Sequence, residues 1–141
     1  MSTFNIFDVA GMGMSVQSLR LNTIASNLAN AESVAGSPED AYRSRHPVFS
    51  TVQMQAMNDA IEDAASVGIE VTDIMQSDKD VQKKYDPNNP KADSNGYVYL
   101  SNVNVADQMA DMISASRTFQ TNAEMMRSAK ELMQNIINIG K

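Results

Sequence analysis

Cysteine and tryptophan are absent from this 141-residue chain, histidine occurs once, and aromatic residues make up only 6% of it. Without cysteine the chain has no thiolate metal site, no disulfide framework and no cysteine nucleophile. Oxidising and reducing compartments are equally open to it. So few aromatics leave it short of the large rigid anchors that fill a self-contained core, and its 11 methionines are adaptable packing instead. Positive charge is scarce as well: 11 basic against 17 acidic residues give a net charge of −6. A nucleic-acid binder needs a clustered basic surface, so that class is excluded. No run approaches the roughly 18 apolar residues of a membrane span. The start MSTFNIFDVAG lacks the basic opening of a cleavable secretory signal. No membrane insertion and no cleaved leader are expected.

Local shortage of charge is more informative than the average. Before Glu32 the only charged residues are Asp8 and Arg20. In the same stretch Phe7, Ala10, Met14, Gln17, Leu21, Ile24, Leu28 and Ala31 follow spacings of three and four, the seam of a helix that pairs with another helix. The pattern predicts a helix from Phe4 to Ala31, roughly 40 Å long at 1.5 Å per residue. Its opposite face, with Asn22, Thr23, Ser26, Asn27 and Asn30, is polar but uncharged. A helix wet on one side carries Lys and Glu there, so this one is built to have neighbours all round.

A second helical pattern closes the chain. Val105, Met109, Met112, Ser116, Phe119, Ala123 and Met126 alternate fours and threes, and the series then steps by three to Ala129 before Met133 and Ile136. Two successive threes are a stammer, which locally overwinds a coiled coil. Asn104 is placed to cap the start, and Gly140 is a natural stop. Ala106, Ile113, Leu132, Ile137 and Ile139 widen the apolar stripe beyond what one partner helix covers.

Between the helices lie all four prolines and most of the charge. Val48 to Met54 and Ile69 to Ile74 read as short strands. Tyr97 to Leu100 follows Asn95-Gly96, a strong turn signal that calls for a positive φ at Gly96. Gln55 to Ser66 allows either a short helix or a hairpin tip. Asp78, Lys79, Asp80, Lys83 and Lys84 read as a solvated loop, and Pro87 and Pro90 as an extended, stiff connection that docks the middle segment on the last helix. The expected fold is therefore α+β: residues 1–32 and 103–141 form long helices pairing as a coiled coil, and residues 33–102 form a small module rich in β-hairpins.

Chemistry finds no foothold. His46 has no second histidine or cysteine beside it to build a metal or base site. Asp93, Asn95 and Gly96 resemble the middle of a calcium loop, but its end positions fall on Lys91 and Asn102. There is no Gly-x-Ser-x-Gly elbow, and Gly11 and Gly13 lack the strand that precedes a dinucleotide fingerprint. Two glycines in a helix read better as a close helix approach or a local weak point. No enzyme and no cofactor are expected.

Ser26-Asn27-Leu28-Ala29-Asn30-Ala31 resembles the Ser-x-Asn-Leu-Ala-Asn signature of bacterial flagellar axial proteins, the rod and hook family. Tyr85-Asp86-Pro87, Pro90, Ala92-Asp93, Gly96-Tyr97-Val98 and Asn102-Val103-Asn104-Val105, followed by Met109, Ile113 to Arg117 and Asn122, are similar to its proximal rod members. The Thr-Pro-Gly-Tyr-like turn of many axial proteins is replaced here by Glu32 to Gly36. The resemblance implies a structural subunit of the basal-body rod that spans the periplasm, handed over by the flagellar type III export apparatus. It also implies polymerisation with itself and other rod subunits through the terminal helices, giving a hollow shaft that transmits torque and serves as an export channel. On that reading the assembly residues are Phe7, Met14, Leu21, Ile24, Asn27, Leu28 and Asn30 on the first helix. Met109, Met112, Phe119, Met126, Met133 and Ile136 are theirs on the last, with Gly96 and Asn104 as turn and cap. The competing expectation is a soluble helical adaptor or secretion chaperone that binds partner helices through the Met-rich stripe.

Overall fold

The computed structural model describes residues 3–54 and 66–139. The chain is α+β, with a helix at each end, α1 (Thr3–Ala29) and α2 (Val105–Ile139). Five strands lie between them: β1 (Val34–Ala35), β2 (Arg45–Met54), β3 (Ser66–Gln76), β4 (Gln82–Tyr85) and β5 (Tyr97–Leu100). They form two antiparallel sheets, one in the order β1-β5-β4 and the other a ribbon of β2 and β3. Gln55 to Ala65, where a helix and a hairpin tip were both open, lies outside the described residues.

α1 stops at Ala29, two residues short of the expected end, because Asn30, Ala31 and Ser33 turn back on the carbonyls of Ser26 to Asn30. α2 begins with a complete N-cap. Asn104 Oδ1 accepts the amide of Ala106 at 3.1 Å, its carbonyl accepts the amide of Gln108, and Asp107 in the first turn favours the helix dipole.

The two helices run antiparallel. Asn27 meets Gln108, Arg20 meets Asp111, and Gly13 meets Asn122. The line of α2 that faces α1 is Gln108, Met112, Ala115, Phe119, Asn122, Met126, Ala129 and Met133, all buried or half-buried. This line alternates fours and threes without a slip, so the expected stammer disappears. It came from following Ser116 and Ala123 on the apolar side, one position beyond the small Ala115 and the polar Asn122 that the glycine of α1 admits. Met109 and Ile136, expected in the seam, instead point outward, 55% and 65% exposed.

β2 and β3 are longer than the alternating pattern indicated and pair along their described length, with a bulge between Val48 and Phe49. They lie against α1, and among the described elements neither runs alongside α2. The expectation that the middle segment docks on the last helix is thus corrected: α1, sparse in charge, takes the hairpin on one side and α2 on the other.

β4 is a strand where a solvated loop was expected. Its residues are exposed, and its order comes from the ladder with β5 and from Lys83, whose ammonium sits 4.1 Å from the centre of the Tyr97 ring. The connection from Asp86 to Gly96 is not extended. It folds into successive turns, with Asn89 N–H on the Asp86 carbonyl, Ala92 N–H on that of Asn89 and Gly96 N–H on that of Asp93. Proline fixes φ at values a type I turn also uses, so stiffness here comes from turns rather than extension.

Asp93 organises the end of this loop. Its Oδ1 accepts the amides of Asn95 and Tyr97 at 2.8 and 2.9 Å. The amide of Tyr97 above all, with that of Asn95 and the nearby Lys83, holds its carboxyl below the ordinary 3.8 against a smaller opposing effect of desolvation. A depressed folded value means that the contribution of Asp93 is present above about pH 3.8 and lost as pH falls through the lower folded value. Protection of the Asn95 and Tyr97 amides, relative to their intrinsic exchange at each pH, should therefore fall in acid below the ordinary 3.8, and Asp93→Asn should flatten that fall. An unchanged acid profile in the variant would show that the carboxylate is not the group responsible.

Gly96 has φ of +80°, and a Cβ there would lie 2.9 Å from Cε2 of Tyr85. Gly96→Val combines a disfavoured backbone with that clash and should cost at least about 1 to 2 kcal/mol in urea denaturation. Lys91→Ala on the same loop removes one exposed bond to the Val34 carbonyl and should be close to silent.

Candidate functional site

The place where the helices, the hairpin and the loop after α1 converge is built around one side chain. Asn27 lies two residues before the end of α1 and is 0% exposed. A buried carboxamide has two donors and two acceptor sites to satisfy. Its Nδ2 donates to the Arg45 carbonyl at 2.8 Å and to Gln108 Oε1 at 2.9 Å. Its Oδ1 accepts the Arg45 amide at 2.9 Å and the Tyr42 hydroxyl at 3.0 Å. Toward Arg45 the carboxamide thus behaves as a strand residue would, exchanging two bonds with the first backbone unit of β2. On the opposite side the Ser44 carbonyl accepts the amide of Ser77, just beyond β3.

Neighbouring polar groups extend the junction. The Ser44 amide donates to Asn102 Oδ1 at 2.7 Å, and Asn102 Nδ2 reaches the Lys79 carbonyl at 2.8 Å. Ser101 Oγ donates to the Ala31 carbonyl at 2.6 Å. The segments that leave and enter the two helices are therefore tied together. Asn30 has a smaller part: half-buried, its side chain is a second donor to the Ser26 carbonyl, which also accepts the Asn30 backbone amide. Beside the junction Arg20, Ile24, Arg45, His46, Pro47, Phe49, Gln108 and Asp111 line an open cleft of about 290 Å³. Arg20 donates to Asp111 there at 2.9 Å, and both side chains are partly exposed. His46 is exposed, and its Nε2 lies 3.3 Å from Ser44 Oγ. Among the described residues no group of three His, Cys, Asp or Glu could hold a metal ion. No helix there is long and apolar enough to cross a membrane.

The residues singled out from the sequence fall into three groups. Ile24 and Asn27 are buried in the subunit, while Phe7, Met14, Leu21, Leu28, Met112, Phe119, Met126 and Met133 are half-buried. Met109 and Ile136 face away from α1 and are brought together with neither the junction nor the seam. Gly96 and Asn104 stand at the turn before β5 and the cap of α2. The sequence reading missed Tyr42, Gln108 and Asn122. Gln108 is a polar residue one position from an apolar seam, and nothing local marks it as buried. The two glycines did carry a signal, since a Cβ at Gly13 would lie 2.7 Å from Nδ2 of Asn122.

Asn27→Ala should leave the Arg45 amide and carbonyl and the Tyr42 and Gln108 side chains without partners, costing about 2 to 3 kcal/mol. Asn30→Ala loses a single half-exposed bond and should cost about 1 kcal/mol or less. Urea denaturation of the two variants checks the contrast, and equal losses would mean that Asn27 does not hold the junction.

Residues 7–36 match the family described as flagella basal body rod protein, and residues 94–139 match the C-terminal family of flagellar basal body rod FlgEFG proteins. Flagellar basal-body rod protein FlgC of Salmonella typhimurium is 40% identical over 141 residues, the whole of both chains. That of Yersinia enterocolitica is 38% identical over the same span, and that of Aquifex aeolicus is 36% identical over 143 aligned residues, covering all of this chain and 99% of the relative. With two family matches bracketing the helical ends and full-length relatives well above 30% identity, the chain belongs to the flagellar basal-body rod protein FlgC family.

Proposed function

We propose that this chain is a structural subunit of the flagellar basal-body rod that polymerises through its terminal helices. The observation that carries this is the apolar surface a single subunit leaves open on α2. Val105, Met109 and Ile113 recur every four residues along one face, and Met125, Leu132, Ile136 and Ile137 are exposed further along. On α1, Ile6 and Val9 are exposed as well. Apolar side chains in such runs are costly in water and mark surfaces meant for protein contact.

Segments 1–32 and 103–141 are the assembly helices on this reading, and 33–102 is the β-rich outer module. The unbroken alternation of fours and threes on α2 supports a coiled-coil pairing with α1 inside each subunit. Met109 and Ile136, free of that seam, are then available to neighbouring subunits of the shaft. Torque passes from helix to hairpin through the Asn27 junction, where the connection is made of directional bonds rather than a sliding apolar face. The subunit is delivered by the type III export apparatus and resides in the part of the rod that spans the periplasm. A free-standing adaptor would need charged outer faces, whereas α1 carries only Asp8 and Arg20, and Arg20 is engaged with Asp111.

Met109→Glu with Ile113→Glu places two charges on exposed positions, so the isolated subunit should keep its helix content and solubility. In a strain carrying only this variant, basal bodies should lack a completed rod and swimming should be lost. Glu124→Gln, an exposed position on the same helix, should swim normally. Normal rods in the doubly charged variant would sink the assignment of this face to assembly.

A further inference from the structure

The contact between α1 and α2 is made largely of side chains that do not define an axial position. Ala10, Ala115 and Ala129 are buried in it, and Gly11 meets the end of Met126. Small residues present a smooth surface, and methionine adapts to whatever faces it. Such an interface is tolerant of sliding, because apolar burial depends on area and not on direction. Besides the fit of Asn122 into the space at Gly13, two polar contacts break this tolerance, and both lie toward the end of α1 that carries the hairpin. One is the Asn27 to Gln108 bond, between side chains 0% and 5% exposed, and the other is the Arg20 to Asp111 ion pair.

We propose that these two pairs form a register lock, with Gln108 and Asp111 as the positioning residues that fix how far α2 slides along α1. Sliding α2 by one turn toward its N-terminus would set Met112 opposite Asn27 and Ala115 opposite Arg20, leaving a buried amide donor without an acceptor. Sliding it one turn the other way would set Asn104 opposite Asn27 and Asp107 opposite Arg20. That alternative keeps polar partners, but it takes Asn104 from the cap of α2 and breaks the Asp107 contact to the Asn104 side chain. Because Asn27 also holds the first backbone unit of β2, the register of the helices and the position of the hairpin are set by the same side chain. The lock is internal to one subunit and stands whether or not the helices assemble into a rod.

The absence of native cysteine makes the register directly measurable. A Cβ at Gly13 lies 3.3 Å from Cγ of Asn122, so Gly13→Cys with Asn122→Cys reports the native register. Gly13→Cys with Thr118→Cys and Gly13→Cys with Met126→Cys, each with Asn122→Ala to clear the space that the new Cβ takes, report slips of one turn in either direction. A slip of one turn moves a residue by about 6 Å, beyond the reach of roughly 4.5 Å between Cβ atoms that a disulfide bridges. In the full-length chain the native pair should oxidise about tenfold faster than either slipped pair. Asp111→Arg should lower that preference and speed the Thr118 pair, since Arg20 then finds its carboxylate at Asp107, while the Asn27 to Gln108 bond keeps part of it. Arg20→Asp combined with Asp111→Arg restores the ion pair in reverse and should restore the native preference. Gln108→Leu should lower the preference while helix content by circular dichroism is kept. Should Gln108→Leu fail to fold, the partly exposed Arg20 and Asp111 variants still decide the matter. An Asp111→Arg chain that keeps the full native preference, or a charge swap that does not recover it, would overturn the proposal.

Discussion

Four hydrogen bonds on one buried carboxamide hold this molecule to a single arrangement. Asn27 is reached by the Tyr42 hydroxyl, by both backbone groups of Arg45 and by the side chain of Gln108, and those partners come from the loop after α1, from β2 and from α2. A buried amide that loses one partner retains the full cost of its desolvation. The three segments therefore dock together or not at all, and the geometry of each is a condition for the others. An apolar side chain at position 27 would fill the same space yet leave Arg45 with a free N–H and C=O at the very start of the hairpin.

The helix pair complements that junction by being undemanding elsewhere. Alanines, glycines and methionines along the seam let α1 and α2 approach closely without specifying depth or angle. The bulk of the large apolar side chains of α2 is left outside, on Val105, Met109, Ile113, Leu132 and Ile136. A chain that put those residues into its own core would be a better monomer. Placing them outward leaves the subunit with exposed apolar surface, in keeping with a family whose members bear the name of rod proteins.

The loop that carries β5 to its partners is ordered by short-range electrostatics instead of burial. Asp93 gathers two backbone amides and lies near Lys83, which in turn covers Tyr97. Tyr85 packs edge-on against Tyr97 beneath Gly96, where no Cβ fits. The aromatic residues this chain has in short supply are thus concentrated where a small sheet has no hydrophobic core of its own. Val98, 1% exposed, is the one large apolar side chain that the sheet buries completely.

Both helices were legible in the sequence, because a repeat of three and four sustained over many turns has no other structural meaning, and the Asn95-Gly96 pair announced the turn before β5. Of the uncharged polar face of α1, Thr23 and Asn27 are buried and Ser26 and Asn30 half-buried, while Asn22 stays exposed. What remained illegible was which neighbour covers which face. The line of α2 that meets α1 shares Met112, Phe119, Met126, Ala129 and Met133 with the most apolar line but passes through Gln108, Ala115 and Asn122 where that line has Met109, Ser116 and Ala123, since Gly13 leaves room for Asn122 and Asn27 needs Gln108. β1 and β4 are too short, and β4 too charged, for any periodicity, and they are strands only because β5 lies between them. The partners of Asn27 lie from 15 to 81 positions away along the chain. Periodicity is a property of neighbouring residues and can be read in order; the satisfaction of a buried amide depends on groups that only the tertiary fold brings within 3 Å.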